Sequence, residues 1–590
     1  MMNQIVVFVT LAGALALFIW GRWRYDVVAL LALLAVTLTG VVPSSEAFSG
    51  FAHAAVVAVA GVLVVSRGLQ NSGVVDVLAR LLGWVGDRPS MQVAALTALV
   101  AVCSALMNNI GALALLIPVA IQIARRGGHS PSLVLMPLAF GSLLGGMTTL
   151  IGTPPNIIIA TIRAQAVHEP FRMFDFTPVG AAVAIAGVAF IALAGWRLIP
   201  QRRAYASREE LFQVKEYTTE VRVQEGSKLV GHPLRDLESA TDVDVVVVGL
   251  VRDDRRIPAP SMFEVAQPHD VVVVEADPKE LQALVDAVGL EVVGSEQLGE
   301  EALGSETVSV TEAVVLPYSM MEGRTARRLD LRWRYGLNLL AVARQGSRVR
   351  DRLGNVRFKA GDILLLQGDI GRLRESMASL GCLPLAERDL RLGKPRRVVM
   401  AATIFAAALV AAATGMLAVQ VAFVAAGTLM VVAGLLSLRE AYDSIDWSVI
   451  ILLGAMLPVG QALESTGGAR LIADHILQFA HWMPAWSTLG VLLVGTMFLS
   501  DLINNAAAAV LMAPIAINVA KGLGASPDAL LMAVAIGASC AFLTPIGHQS
   551  NTLVMGPGGY HFGDYWRMGL LLEVLIAIVA IPLLLWFWPM

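Results

Sequence analysis

The chain has 590 residues, 56% hydrophobic and only 15% charged, with a mean hydropathy of +0.69 and a formal net charge of −3. Soluble domains carry roughly 25% charged residues, so most of this chain is suited to lipid, and no nucleic-acid partner is expected. Cys103, Cys382 and Cys540 lie too far apart to form a disulfide framework or a zinc spacing.

Apolar runs near 4–20, 26–43 and 51–70 are long enough, or nearly so, to span a bilayer. The first is followed by Arg22 and Arg24 but lacks a basic leader and a small-residue cleavage site. It reads as a retained membrane helix rather than a signal peptide. Gly73 to Val85 carries Asp76 and Arg80 and reads as a helix lying in the interface. Two shorter arms, 91–107 and 110–124, then meet at Asn108-Asn109, between Ser104 and Pro118. A run over 132–166 is interrupted by Gly152-Thr153-Pro154-Pro155-Asn156, and 177–199 closes the first apolar half. Proline removes a backbone donor and disfavours helix in the residue before it, so Pro154-Pro155 is expected to break the helix within the membrane. Irregular backbone at that depth survives only where it is buried in protein or lines a polar cavity.

Between Pro200 and Pro395 charges crowd in, and strand-like runs appear at Val243 to Val251, Asp270 to Val274, Leu337 to Ala343 and Asp362 to Gln367. This region repeats itself at an offset of 92: Asp244 to Arg252 matches Gly336 to Arg344, and Asp270-Val-Val-Val-Val matches Asp362-Ile-Leu-Leu-Leu. Each copy reads as short strands followed by a helix, Pro278 to Val288 or Gly371 to Leu380, and Gly294 to Glu306 reads as the linker between them. Two small α+β domains are expected, at 210–295 and 305–388, between membrane repeats at 1–200 and 396–590. The basic run Arg324 to Arg334 is a solvated face or a site for an anionic regulator, a small molecule or nucleotide.

Membrane-like runs resume at 398–414, 418–436 and 447–463, followed by an interfacial stretch at 468–480. Arms at 485–503 and 506–520, a broken span over 529–556 and a last run at 566–587 complete the chain. Aligned on Asn504-Asn505, this half repeats the first: Glu46 meets Glu440, Ser104 meets Ser500, Ser130-Pro131 meets Ser526-Pro527, and Pro118 has its counterpart in Pro514. After a single-residue gap, Gly152 and Asn156 meet Gly547 and Asn551. If the asparagine-tipped arms are re-entrant hairpins, each half crosses five times, and an odd count inverts one half relative to the other. The expected fold is therefore a polytopic α-helical membrane protein built as an inverted repeat with re-entrant hairpins and broken helices, the usual plan of secondary transporters. Most Arg and Lys near the ends of the runs then share one side, which the positive-inside rule makes cytoplasmic. That places the chain in the cell (inner) membrane with its soluble pair in the cytoplasm.

Buried amides without partners cost roughly 2–7 kcal/mol each. Paired asparagines in two matched, oily places therefore point to a polar ligand, although membrane asparagines also bond helices together. Carbonyl and asparagine oxygens at a hairpin tip suit a hard cation, while helix N-termini favour an anion. Lys and Arg are nearly absent there, so an anion would depend on helix ends, amides and co-bound cations.

The patterns Ser104-x-x-x-Asn108-Asn109 with Ile151-Gly-Thr-Pro-Pro-Asn156, repeated with Thr544-Pro-Ile-Gly547-His548-Gln-Ser550-Asn551-Thr552, resemble the divalent anion/sodium symporter family of the ion transporter superfamily. The two middle copies resemble the RCK/TrkA C-terminal regulatory domains. The resemblance implies one sodium site at Ser104, Asn108, Asn109 and Gly152 and another at Ser500, Asn504, Asn505 and Gly547. Substrate would lie between them, against Asn109, Thr153, Asn505 and His548. Many members carry Ser-Asn-Thr at both tips, where this chain has Asn108-Asn109-Ile110 and Asn504-Asn505-Ala506. Without those threonine hydroxyls a sulfate-like oxyanion is favoured over a dicarboxylate.

Two asymmetries stand out: His548 faces Thr153 in the alignment, and Asp501 faces Ala105. Ionisable groups in membrane segments are functional by default, so Asp501 is a candidate coupling acid, as a sodium ligand or a proton carrier, unless it points to the hairpin's aqueous mouth. His548 is an anion donor or a backbone-bonded structural residue. Ser550-Asn551-Thr552 reads as a cap for the restarted half-helix. The resulting expectation is a sodium-coupled symporter of a small divalent anion working by alternating access, with dimer contacts on its first helices. A cation/proton antiporter, another anion specificity and a transporter-like nutrient sensor are the alternatives. No nucleophile–base set or nucleotide loop suggests an enzyme.

Overall fold

The computed structural model describes residues 2–20, 23–74, 88–127, 129–200, 218–239, 246–252, 255–258, 260–261, 263–275, 284–285, 287–294, 308–317, 319–344, 347–349, 353–385, 395–480, 485–545 and 547–590. All but the first two residues of the expected interfacial helix at Gly73 to Val85, and most of the helix at Pro278 to Val288, lie outside them. The chain forms two compact units, one of Met1–Gln201, Arg388–Asn551 and His561–Met590, the other of Arg202–Glu387 and Thr552–Tyr560.

The first unit is helical. Its first part contains α1 (Met2–Trp20), α2 (Tyr25–Leu38), α3 (Ala54–Ser72), α4 (Pro89–Leu106), α5 (Asn109–Arg126), α6 (Ser132–Gly146), α7 (Pro154–Val167) and α8 (Thr177–Leu193). Glycine ends α3: Gly73 takes the left-handed conformation, with φ at 86°. Pro154-Pro155 open α7 at its first two positions, whereas α6 has already ended at Gly146. The break thus spans residues 147–153 and precedes the prolines, which suit a first turn where no intrahelical partner is needed. Prolines interrupt nothing here; they start the second piece.

The second unit holds two five-stranded antiparallel sheets. Strands β1 (Thr218–Val223), β2 (Val246–Arg252), β3 (Arg255–Pro258), β4 (Val271–Glu275) and β5 (Leu290–Gly294) lie in the order β3-β2-β4-β1-β5. Strands β6 (Val308–Val315), β7 (Leu337–Arg344), β8 (Ser347–Arg348), β9 (Ile363–Asp369) and β10 (Cys382–Pro384) lie as β10-β6-β9-β7-β8, the same order copy for copy. The helix α9 (Ile370–Leu380) follows β9.

The duplication extends to side chains. Arg252 binds the buried Asp270 through two bonds of 2.9 and 2.7 Å, and Arg344 binds Asp362 through two of 2.7 Å. In each copy the aspartate also accepts a loop amide at 2.8 Å, from Gln267 or Lys359. Hydrogen bonding to Asp270 holds the Arg252 guanidinium above its ordinary range. Breaking a buried pair leaves an uncompensated charge and costs about 3–5 kcal/mol. Asp362→Ala is therefore expected to loosen the second sheet. Hydrogen exchange on the full-length protein checks this: amides of β7 and β9 lose protection while those of α4 and α6 keep theirs.

The chain continues with α10 (Pro395–Ala413), α11 (Val419–Val432), α12 (Trp447–Ser465), α13 (Gly468–Ala480), α14 (Ala485–Leu502), α15 (Asn505–Leu523), α16 (Asp528–Ser539), α17 (Gln549–Met555) and α18 (Trp566–Phe587), all in the first unit except the end of α17 from Thr552. Asp446 caps α12 by accepting the amides of Ser448 and Val449. Among the described residues, seven helices are long and apolar enough to cross a membrane, α3, α4, α12, α15 and α18 among them. The interfacial stretch at 468–480 is the helix α13, and the broken span at 529–556 is α16 and α17 with irregular backbone between them.

The same packing recurs in both parts. Gly141 of α6 lies against the Thr97 carbonyl of α4, and Gly537 of α16 lies against the Leu493 carbonyl of α14, both pairs related by 396 residues. Gly180 of α8 packs on the Met147 carbonyl as Gly569 of α18 packs on that of Phe542.

Candidate functional site

Each hairpin turns at its asparagines, and the two asparagines of a pair do different things. Asn108 Oδ1 accepts the Ile110 amide at 3.1 Å, and Asn504 Oδ1 accepts the Ala506 amide at 2.9 Å. Both therefore cap the helix that leaves the tip. Their partners Asn109 and Asn505 are buried, at 2% and 6% exposure. Asn505 Oδ1 turns onto the Ala506 amide at 2.8 Å.

Asn109 is the meeting point of the first hairpin and the first broken helix. With Nδ2 turned toward them, its two hydrogens are shared among the Ser142 and Gly152 carbonyls, both at 3.1 Å, and Ser104 Oγ at 2.6 Å. Oδ1 then faces His548 Nε2 at 3.5 Å. The histidine independently favours this arrangement. Its Nδ1 accepts the Ser550 amide at 3.0 Å, so in the neutral ring the proton sits on Nε2, which needs an acceptor. Gly146 leaves the space: a Cβ there would run into the Asn109 amide. Ser104, Asn109, Gly152 and His548 are thus brought together, although 439 residues separate Asn109 from His548.

The second hairpin shares this layout with different chemistry. The Ala538 carbonyl, equivalent to that of Ser142, receives Ser500 Oγ at 2.7 Å rather than an asparagine amide. Gly547 lies against the backbone of Ser500 and Asp501, where a Cβ would come within 2.7 Å of the Ser500 carbonyl. Thr544 Oγ1 donates to the Asp501 carbonyl at 2.8 Å, as Thr149 Oγ1 donates to that of Ala105 at 2.5 Å.

The breaks are stitched by the second-position asparagines. Asn156 Nδ2 donates to the Thr149 carbonyl at 2.8 Å, and Asn551 Nδ2 donates to those of Ala541 and Thr544 at 2.7 and 3.1 Å. Asn551 does not cap α17; His548 does, its Nδ1 accepting the Ser550 amide, because the cap acceptor must come from the residue just before the helix. Tyr565 further fixes this corner by donating to the Asn551 carbonyl at 2.7 Å.

The site's anion donors differ from the helix-end expectation. Pro154 and Pro155 carry no amide hydrogens, and the Ile110, Ala506 and Ser550 amides are consumed by caps. Thr153 Oγ1 is buried and unpartnered, whereas His548 Nε2 faces the Asn109 amide at 3.5 Å and reaches an anion only by leaving it. Sequence reasoning did not single out Glu573, in contact with Asp501. It is the only acid in the apolar run of α18, a readable signal by the rule that intramembrane acids are functional.

Long apolar helices, two asparagine-tipped hairpins and two helix breaks converging on buried amides define a polytopic membrane transporter. The chain belongs to the citrate transporter (CitMHS) family of the ion transporter superfamily, which matches residues 15–537 and 489–589. It is 32% identical to an uncharacterized transporter of Synechocystis sp. over 97% of this chain and 95% of that one. It is also 32% identical to the transporter YfbS of Escherichia coli, over 97% and 98% of the two chains. Sodium/sulfate cotransporter 2 of Chlamydomonas reinhardtii is 25% identical over 62% of this chain and 42% of its own length. These proteins are transporters rather than enzymes, and membership implies a small anionic substrate and a lipid environment.

Proposed function

We propose that the protein is a sodium-coupled symporter of a small divalent oxyanion, sulfate-like rather than a dicarboxylate, working by alternating access. The observation that carries this reading is the convergence of Ser104, Asn109, Gly152 and His548 from both parts of the membrane unit on one buried point. Sodium would be held by oxygens of Ser104, Asn108, Asn109 and Gly152, the Asn109 amide turning so that Oδ1 replaces Nδ2 beside Ser104 and Gly152 and releases His548 Nε2, and, in the second hairpin, by those of Ser500, Asn504, Asn505 and Gly547. The anion would take hydrogen bonds from Thr153 Oγ1 and His548 Nε2, with Asn109 and Asn505 beside it. A compact oxyanion suits so few donors, and the likeness to a sodium/sulfate cotransporter agrees with it.

In this reading the two membrane parts are inverted repeats, and each hairpin moves with its broken helix against the first helices of each half, where a homodimer would form. The two sheets act as cytoplasmic regulatory domains of the RCK/TrkA C-terminal type that bind a small molecule or nucleotide, and the protein sits in the inner membrane.

Purified protein in liposomes tests the reading. An inward sodium gradient is expected to drive uptake of labelled sulfate more strongly than of succinate. Sodium-driven proton flux without anion uptake would assign it to the antiporters, and anion binding without flux would make it a sensor.

A further inference from the structure

Asp501, near the end of α14, and Glu573, in the first half of α18, are 3% and 8% exposed. Their carboxyls lie within hydrogen-bonding reach of each other. Asp501 Oδ1 accepts the Leu543 amide at 2.9 Å, and Glu573 Oε1 accepts the Phe542 amide at 3.4 Å. Asp501 Oδ2 is buried and has no donor. Neither carboxyl has an ion-pair partner among the described residues. Among the described residues, the other titratable group facing the pair is Cys540, just after α16 and fully buried.

The first half puts alanine at both places. Asp501 corresponds to Ala105, because the same threonine bond reaches both carbonyls. Glu573 lies four residues after Gly569, as Ala184 lies four after Gly180, and the two glycines make the same backbone contact. Two alanine positions on separate helices have thus become acids that touch.

The acids also reshape the break. Both α6 and α16 begin one residue after a Ser-Pro pair, yet α6 runs for 15 residues and α16 for 12. In the first half the Thr148 amide folds back onto the Gly145 carbonyl at 3.1 Å. In the second, the amides of Phe542 and Leu543 go to the acids instead, and the helix stops early.

Two carboxylates in contact in a buried site cannot both stand bare; a positive charge must lie between them. We propose that Asp501 and Glu573 form a cation site peculiar to the second half, holding one monovalent cation between the facing carboxyl oxygens. The cation is a proton on Glu573 or a sodium ion. Its part in coupling rests on the transport reading above, since the cation would be exchanged as the second hairpin moves, but the site itself does not.

The test uses full-length protein in lipid nanodiscs, comparing the native chain with Glu573→Gln for radiolabelled sodium binding at fixed pH and for the infrared carbonyl band of a protonated carboxyl. Loss of one bound sodium per chain in the variant supports the sodium form. Unchanged sodium binding with loss of a carboxyl band supports the proton form. Identical sodium binding together with an identical carboxyl spectrum overturns the site. Should Glu573→Gln not yield monodisperse protein, Asp501→Asn serves: it removes the sodium or shifts the Glu573 band, and no change in either overturns the proposal. Uptake measured in parallel separates the two readings. Absence of oxyanion uptake with a variant-sensitive band or sodium count removes the transport reading alone, and sodium-driven uptake with neither change removes the site alone.

Discussion

Asn109→Ala is expected to raise the sodium concentration for half-maximal oxyanion uptake by roughly tenfold or more while the protein still folds. The Nδ2 group donates toward the Ser142 and Gly152 carbonyls and Ser104 Oγ, and Oδ1 accepts from His548 Nε2. Each buried partner left unsatisfied costs about 1–3 kcal/mol, and about 1.4 kcal/mol is a factor of ten in affinity. Truncation also frees the Gly152 carbonyl and the Ser104 hydroxyl from their fixed positions, so an ion would meet ligands that are no longer preorganised. Because Asn109 and His548 act on each other, the double variant with His548→Ala is expected to lose less than the sum of the two single losses. Sodium titration of sulfate uptake in proteoliposomes measures all three. Equal sodium dependence in Asn109→Ala, Asn505→Ala and the native protein would remove both hairpin tips from the site.

The second large effect concerns packing. Gly145→Val is expected to abolish most of the folded protein, because a Cβ at Gly145 would enter the backbone carbonyl of Ala101 on α4. Gly141, one turn earlier, lies near the Thr97 carbonyl, where a Cβ would come within 2.9 Å, so the α4–α6 seam brings backbone against backbone. Small residues four apart are what lets membrane helices approach so closely. Overpacking of rigid interiors costs about 1–3 kcal/mol and occasionally more; with carbonyls rather than side chains opposite, the loss belongs at the upper end. Gly13→Val provides the comparison, since a Cβ on Gly13 meets nothing within 4 Å. Monodisperse yield and melting temperature in detergent should fall for Gly145→Val and stay level for Gly13→Val.

The acids and the histidine show where reading a sequence stops. Asp501 and His548 were visible as departures between matched segments, but nothing in the order of residues says that Glu573, 72 positions beyond Asp501, touches it. That contact depends on how α18 lies against the end of α16, and the Gly569 contact with the Phe542 carbonyl sets it. Asn108 and Asn109 are likewise indistinguishable in sequence. Only the turn geometry makes the first a cap and the second the buried amide.

Membrane character, the two matched halves, the duplicated middle and the approximate bounds of the long helices and of the strands β2, β4, β7 and β9 were legible from residue order. These follow from hydropathy and from periodic or repeated patterns, which are local properties. Residue order also located the hairpin tips and the helix breaks, since amides and Pro-Pro in oily runs are costly enough to be conspicuous. Tertiary structure alone decided that the breaks precede the prolines, that His548 rather than Asn551 caps α17, and that Asn109 reaches His548 across the unit. It also decided that the two halves differ through a carboxyl pair. Each of these depends on which lone pair or N–H a neighbouring helix leaves open. Such vacancies arise only when the helices are packed together.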